Sequence, residues 1–240
     1  MWTYLIIFLS AIVFISIFVR RAVLLGKFSK LKSAPKEEAP VVSEDTPKVL
    51  KKDKVKADAL CDKGRQLIKQ GGEEDAVKHF VQALALDPGN TDAQHELAML
   101  YLNKQMFNAA AALFKQLSEV LENPIYYSHL GFALYQQNQF DEAKKAYQKA
   151  ITLDPSRPQR FISLAQVYRA TNEPELSVIA INKAIDLEKD NVDFLFLLAE
   201  LQNEMQRFED CKLILKKILS IEPGNKEAVV MLKKLELPPQ

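Results

Sequence analysis

The sequence contains few of the residues that build disulfide, metal or catalytic sites: its 240 residues include only two cysteines, three histidines and seven glycines. Two isolated thiols, Cys61 and Cys211, cannot form the disulfide framework of a small secreted domain, and they fit a reducing compartment. His79, His95 and His129 lie far apart, and none is paired with a cysteine or another histidine at metal-ligand spacing. The sequence therefore predicts no metal site and a structural role for both cysteines.

The common catalytic and nucleotide-binding motifs are also missing. The chain has no glycine-rich phosphate loop, no Gly-x-Ser-x-Gly sequence and no His-Glu-x-x-His sequence. Carboxylates are numerous, but they fall on solvent-facing helix positions and form no converging pair. We therefore predict that the protein is not an enzyme and has no cofactor.

What the chain does contain is a repeating pair of amphipathic helices, clearest in residues 124–157. In the first helix Leu130 and Leu134 share one face at the spacing typical of an amphipathic helix. Gly131 leaves room for the second helix to cross closely, and Tyr147 fills the space beside it. A hairpin of this size cannot bury its apolar face alone, so the pattern predicts similar neighbours.

The neighbours are present as five copies with a period of 34 residues, the second copy being one residue shorter. They cover residues 57–90, 91–123, 124–157, 158–191 and 192–225. Their shared positions resemble the tetratricopeptide repeat, in which a large residue, Leu-Gly, Tyr, Ala, Phe, Ala and Pro recur at fixed offsets. The copies depart from this pattern at several later offsets, including Leu117, Glu122, Ser177, Lys189 and Cys211.

The resemblance implies an all-α fold, a right-handed α-solenoid of about five helix hairpins. Residues 226–240 begin like the first helix of a sixth copy, with apolar residues on one side and lysines on the other. A solenoid needs a terminal helix with a polar outer face to cover its last apolar surface. We therefore predict that residues 226–240 form a C-terminal capping helix and tail.

Before the repeats, residues 2–19 are apolar apart from Thr3, Ser10 and Ser16. Eighteen residues at about 1.5 Å each span about 27 Å, enough to cross a hydrocarbon core. A cleavable secretory signal would need basic residues before the run and a small-residue cleavage site after it, and neither is present. A buried core helix is the other alternative, but nothing near this terminus would cover it. We predict one transmembrane helix, preceding the solenoid, over residues 1–25.

The basic residues that follow this run predict its orientation. Arg20, Arg21, Lys27 and Lys30 all lie after it. Since positive charge stays preferentially on the cytoplasmic side, we expect the N-terminus outside and the repeats in the cytoplasm. The same four side chains would lie near anionic lipid headgroups, at about 1 kcal/mol per charge. The alternative is a plain stop-transfer flank without lipid recognition.

Residues 26–56 are predicted to be a flexible basic linker, because they contain nine lysines, five acidic residues and the prolines Pro35, Pro40 and Pro47. The first 56 residues carry a net charge of +6 and the whole chain carries +1, which leaves −5 for the rest. The repeats therefore lack the basic footprint of a nucleic-acid-binding protein. We predict no nucleic-acid partner.

A second stripe on each first helix lies clear of the core stripe and, in the geometry that the resemblance implies, lines the concave inner face. Several of its residues are large and apolar, although a purely structural helix would carry polar residues there. We predict that the stripe is a groove for a protein or peptide partner. The alternative is that superhelical curvature buries some of its residues between repeats. The predicted groove residues are His95, Met99, Phe132, Tyr135, Ile162, Gln166, Arg169, Phe196 and Asn203.

Together these features predict a single-pass membrane protein that holds a protein-interaction scaffold in the cytoplasm. The anchor would confine the groove to the membrane surface and so raise its effective concentration toward partners there. Two alternatives remain open. One is a periplasmic factor for envelope or pilus assembly with the opposite topology, and the other is a structural self-association module.

Overall fold

The computed structural model describes residues 50–236, which form eleven α-helices and no β-strand. Numbered in chain order, the helices are α1 (Lys51–Lys69), α2 (Glu73–Leu86), α3 (Thr91–Asn103), α4 (Phe107–Val120), α5 (Pro124–Gln136), α6 (Phe140–Leu153), α7 (Pro158–Ala170), α8 (Pro174–Leu187), α9 (Val192–Glu204), α10 (Phe208–Ile221) and α11 (Lys226–Glu236).

Consecutive helices pair into five hairpins, α1 with α2 through α9 with α10, and each hairpin packs on the next. The last helix, α11, packs against α10 and covers the final apolar surface with Met231, Leu232 and Leu235. Its Lys233 and Lys234 are exposed on the outside. These contacts confirm the predicted all-α solenoid of five hairpins and a C-terminal helix.

The turn inside each hairpin has the same backbone geometry. One residue in each turn has a positive φ, between 58° and 79°. Its N–H donates to the carbonyl three residues earlier, and the next N–H donates to the carbonyl five residues earlier. This arrangement is the Schellman helix ending, which favours glycine at the left-handed position. The five residues are Gly71, Gln105, Asn138, Asn172 and Gln206.

Asparagine is the N-cap residue of most of the helices that follow a turn between hairpins. The side-chain oxygen of Asn90 accepts a hydrogen bond from the N–H of Ala93 at 2.8 Å, and Asn191 and Asn225 do the same for the N–H three residues on. Such a cap satisfies one of the free N–H groups at a helix start. The second copy is one residue short because the turn between α4 and α5 has only three residues. Asn123, the last of them, is the N-cap of α5.

Small residues let the two helices of a hairpin approach closely. A Cβ added at Gly64 of α1 would lie 2.6 Å from the ring of Phe80 in α2, and one added at Gly131 would lie 3.0 Å from Tyr147. Both aromatic side chains are buried. The prediction that Gly131 makes room for Tyr147 is therefore confirmed.

The buried residues form four clusters along the described chain. The first joins α1, α2 and α3, the second α3, α4 and α5, and the third α6 and α7. The fourth and largest joins α7 through α11. Each cluster links only neighbouring helices, as expected when every hairpin contacts its neighbours alone.

Several predictions concern residues outside the described range. The predicted anchor over residues 1–25, its basic flank and most of the linker over residues 26–56 precede residue 50, and residues 237–240 follow the last described helix. Among the helices of residues 50–236, none is long and apolar enough to cross a membrane. Residues 51–56, predicted as linker, are instead the first turns of α1. The repeat period marks where the sequence pattern starts, and the helix starts earlier.

Candidate functional site

The first helices of the hairpins, α1, α3, α5, α7 and α9, lie side by side with α11 and form what we call the first-helix face. On this face α1 contacts α3 directly, and α5 contacts α7. The second helices, α2, α4, α6, α8 and α10, form the opposite, second-helix face. Two cavities open on the first-helix face, and they bring together part of the predicted groove.

The larger cavity lies between α7, α9 and α11 and has a volume of about 710 Å³. Three predicted groove residues, Arg169, Phe196 and Asn203, meet in it. The Arg169 guanidinium forms an ion pair with Glu204. Residues of α11 complete the wall: Lys226, Glu227, Val230, Met231, Lys234 and Leu235. Sequence reasoning missed these because it treated α11 only as a cap, although a sixth first helix would extend the same face.

The second cavity lies between α5 and α7 and has a volume of about 510 Å³. The predicted residue Phe132 lines it and is 40 % exposed, and Ile125, which lies on the same stripe of α5, is 49 % exposed. These two side chains are about two turns apart on the same side of α5. They form an apolar patch with polar residues of α7 beside it.

Arg160 is a buried charge in the wall of this second cavity, and sequence reasoning missed it as well. Its Nε donates to Ser128 Oγ at 3.2 Å, and one terminal nitrogen donates to the Asp154 carboxylate at 2.6 Å. The Ser156 hydroxyl, and then the Arg160 guanidinium, hold the pKa of Asp154 well below its usual range. The network fixes the turn before α7 to α5.

Three predicted groove residues lie outside both cavities and are half-buried. The ring of His95 lies 5.7 Å from that of Tyr126, and the ring of Tyr135 lies 5.6 Å from that of Phe140. Met99 packs against the second buried cluster. All three side chains therefore pack against other residues of the protein. Gln166 is exposed on α7.

Ile162 does not belong to an open groove. Its side chain is only 3 % exposed and lies in the buried cluster that joins α7 to α9. The prediction that it is available to a partner is therefore wrong. The reason is the alternative that the sequence left open: packing between neighbouring first helices covers this position.

The N-terminal end of the first-helix face carries an ion-pair network. Arg65 of α1 reaches α3, where its guanidinium lies 2.8 Å from Glu96 and 2.9 Å from Asp92. The hydrogen bonds to Glu96 and then Asp92 raise the pKa of Arg65. Burial raises the pKa of the neighbouring Cys61 thiol to about 11, so it is a poor nucleophile at neutral pH.

Burial also raises the pKa of Cys211, which is fully covered by its neighbours. Both cysteines are free thiols in the core. In the part of the chain from residue 50 to 236, no group of three or more His, Cys, Asp or Glu side chains is placed to hold a metal ion.

Family models agree with the repeat pattern. Three models described as tetratricopeptide repeat match residues 67–130, 124–157 and 159–191. Together the matches span more than half of the 240 residues.

The curated relatives are much longer than this chain. The anaphase-promoting complex subunit CDC16 of Saccharomyces cerevisiae is 25 % identical over 172 residues, which cover 68 % of this chain and 20 % of the relative. The human protein O-mannosyl-transferase TMTC3 is 24 % identical over 183 residues, which cover 69 % of this chain and 20 % of the relative. The chain thus spans about a fifth of the length of these relatives.

Solved structures show the same fold. A crystal structure of MamA covers 77 % of this chain and 98 % of its own, with 20 % identity and a TM-score of 0.67. A crystal structure of YrrB, described as a protein of this repeat class with an unusual peptide-binding site, covers 76 % of this chain and 94 % of its own. Its identity is 18 % and its TM-score 0.66. At these identities the likeness establishes the fold alone.

Proposed function

Because the chain belongs to the tetratricopeptide repeat family, we propose that it is a membrane-tethered interaction scaffold whose first-helix face binds a peptide or protein partner. The observation that carries this proposal is the exposed apolar patch of Ile125 and Phe132 beside a cavity of about 510 Å³. Exposed apolar side chains with a polar rim often mark a protein-binding site.

The cavity between α7, α9 and α11 extends this binding face toward the C-terminal end. Phe196 and Met231 provide apolar contacts, and Asn203 provides an amide that can hydrogen-bond a peptide backbone. Its charges are of both signs, since Glu200 and Lys234 both line it. This mixture suits an extended peptide, and the YrrB structure of the same fold is described as having a peptide-binding site.

The membrane tether rests on residues 2–19, which are long and apolar enough to span a bilayer. The basic residues Arg20, Arg21, Lys27 and Lys30 favour the cytoplasmic side for the repeats and would lie near anionic lipid headgroups there. A tethered scaffold finds membrane-associated partners at a raised effective concentration. The repeats would therefore act by holding such partners close to the membrane.

Crosslinking from the intact protein in its own membrane tests the binding face. We expect the Ile125→Ala/Phe132→Ala variant to lose its crosslinked partner while its melting temperature stays near that of the unaltered protein. The matched control is Ile179→Ala/Leu213→Ala, which truncates two exposed apolar residues on the second-helix face. A partner set retained by the Ile125→Ala/Phe132→Ala variant contradicts the proposal. Phe196 is a poorer choice because its ring packs against the core.

The tether and its orientation need a separate test. A reporter fused after the last residue should report a cytoplasmic location, and residues 1–25 should be required for membrane recovery. A reporter on the opposite side would support the periplasmic assembly factor. If the chain forms oligomers without any partner, and the Ile125→Ala/Phe132→Ala variant does not form them, the result would support self-association.

A further inference from the structure

The second-helix face carries an apolar cleft that the first-helix face does not explain. It lies between α4 and α6, has α5 as its floor, and has a volume of about 570 Å³. This volume is within the range of about 300–1,000 Å³ typical of ligand pockets. Its apolar surface comes from Ala111, Ala112, Leu130, Leu134 and Ala146.

Smaller side chains open the cleft at two places where the next repeat has larger ones. Ala111 is the fifth residue of α4, and the fifth residue of α6 is Lys144. Leu134 is the eleventh residue of α5, and the eleventh residue of α7 is Tyr168. One repeat further along, the Lys144 ammonium lies 5.7 Å from the centre of the Tyr168 ring and 3.0 Å from Glu173. That pair occupies the place, one repeat further along, that corresponds to the opening beside Ala111 and Leu134.

The cleft leaves part of a core leucine in solvent. Leu130 is the seventh residue of its first helix and is half-buried. The leucines at the same position in α3, α7 and α9 are buried: Leu97 is 4 % exposed, and Leu164 and Leu198 are each 7 % exposed. An apolar floor of this kind loses contact with water when an apolar side chain covers it.

Four charged residues border the cleft in a defined order. Because α4 and α6 are second helices of successive hairpins, they run in the same direction, and their residues can be compared along one axis. The order is Glu142, Lys145, Lys115 and Glu119, with about 4.5 Å of helix rise separating the positions of the two lysines. Within residues 50–236 none of the four forms an ion pair.

The geometry points to this cleft as the docking site for an amphipathic helix of a partner protein, with one acidic residue on each side of its apolar face and about one turn between them along its axis. Two parallel helices of 14 residues form a groove about 21 Å long, which accommodates a third helix. The acidic pair meets Lys145 and Lys115, and basic residues further out meet Glu142 and Glu119. An apolar centre with a charged rim is the usual anatomy of a protein interface.

The test is a selection of 14-residue helical peptides from a library with randomised surface positions, using the immobilised full-length chain. Enriched peptides should carry apolar residues at a spacing of three and four, together with the acidic pair. Each should bind the Ala111→Lys/Leu134→Tyr variant at least about tenfold more weakly, because this variant copies the pair that closes the next interval. Lys115→Glu/Lys145→Glu should weaken binding similarly.

Two further variants keep the result interpretable. Ala112→Arg places a large side chain in the cleft from an exposed position, in case the double variant does not fold. Ile125→Ala/Phe132→Ala alters only the first-helix face and should leave the affinity unchanged. This last variant also separates the present inference from the proposed function, because the two proposals depend on different faces.

Three results would overturn the inference. Peptides that bind the Ala111→Lys/Leu134→Tyr and Ala112→Arg variants as tightly as the unaltered chain would show that they bind elsewhere. Peptides that lack the acidic pair remove the role of Lys115 and Lys145. Self-association of the chain that Ala112→Arg abolishes would assign the cleft to a second copy.

Discussion

Gly64 of α1 lies so close to Phe80 of α2 that a Cβ added to the glycine would be 2.6 Å from Cε1 of the ring. Phe80 is fully buried, so its ring has no solvent into which it can move. The two helices of the first hairpin therefore cross at a distance that only glycine permits. The corresponding contact in the third hairpin, Gly131 against Tyr147, is looser at 3.0 Å.

We expect Gly64→Ala to lower the free energy of unfolding by about 1 kcal/mol. Alanine gains up to about 1 kcal/mol of helix propensity over glycine, but overpacking a core costs about 1–3 kcal/mol. Urea denaturation followed by circular dichroism measures the change. Gly131→Ala is the matched control and should cost less, because its added Cβ needs a smaller shift of the neighbouring ring. An equal or larger loss at Gly131 would contradict this explanation.

The left-handed turn positions predict a stabilising substitution. Gln105 and Gln206 have φ values of 58° and 59°, a conformation that costs a non-glycine residue about 1 kcal/mol. We expect Gln105→Gly and Gln206→Gly each to raise the free energy of unfolding by about 0.5 kcal/mol, after the larger entropy of unfolded glycine is subtracted. Thermal and urea melts of the single variants measure this gain.

Two control substitutions test whether the backbone conformation is the cause. Gly71→Ala should destabilise the protein by about 1 kcal/mol although an added Cβ meets no atom within 4 Å. Gln70→Gly, one residue earlier with φ of −93°, should also destabilise it. Stabilisation by Gln70→Gly would show that glycine acts through something other than the left-handed turn.

His129 predicts a stability that falls on acidification. Its ring stacks on Phe114 with 5.0 Å between ring centres, and burial, followed by the charge of His95, lowers the pKa of His129 below its ordinary value of about 6.5. Between the folded and the unfolded pKa the unfolded chain binds more protons. The stability contribution is therefore fully present above about pH 6.5 and decreases as the pH falls below that value.

Urea denaturation at pH 7.5, 6.5 and 5.5 measures this effect as a slope. His129→Gln should flatten the decrease in the free energy of unfolding across that range, even if the lost stacking lowers stability at every pH. A slope unchanged by His129→Gln would remove His129 as its source.

The sequence predicted the repeat architecture well, because the information is local and occurs five times. The period of 34 residues located the hairpins, and Gly131 with Tyr147 located a close helix crossing, each from residue size and spacing alone. The helix start at Lys51 was not predictable in this way. Residues 51–56 lie outside the periodic pattern, and their polar side chains resemble those of a linker.

Surface exposure was harder to predict, because it depends on the side chains of the neighbouring repeat. Ile162 and Phe132 were both predicted to be groove residues. Neighbouring helices bury Ile162, whereas Phe132 is 40 % exposed. The cleft between α4 and α6 requires that Ala111 and Leu134 both be smaller than the residues at the corresponding positions of the next repeat. These two residues are on helices of different hairpins. Periodicity within one hairpin carries no information about such a coincidence.

The division of the core into four clusters has a consequence for partner binding. The two helices of the third hairpin contribute their buried residues to different clusters, Ala133 of α5 to one and Ala143 of α6 to the next. The joint between these two clusters is the close crossing of Gly131 against Tyr147 within the third hairpin. The cavity beside Phe132 and the cleft beside Leu134 lie on opposite sides of this joint. A partner bound at either opening therefore lies next to the contact that connects the two halves of the core.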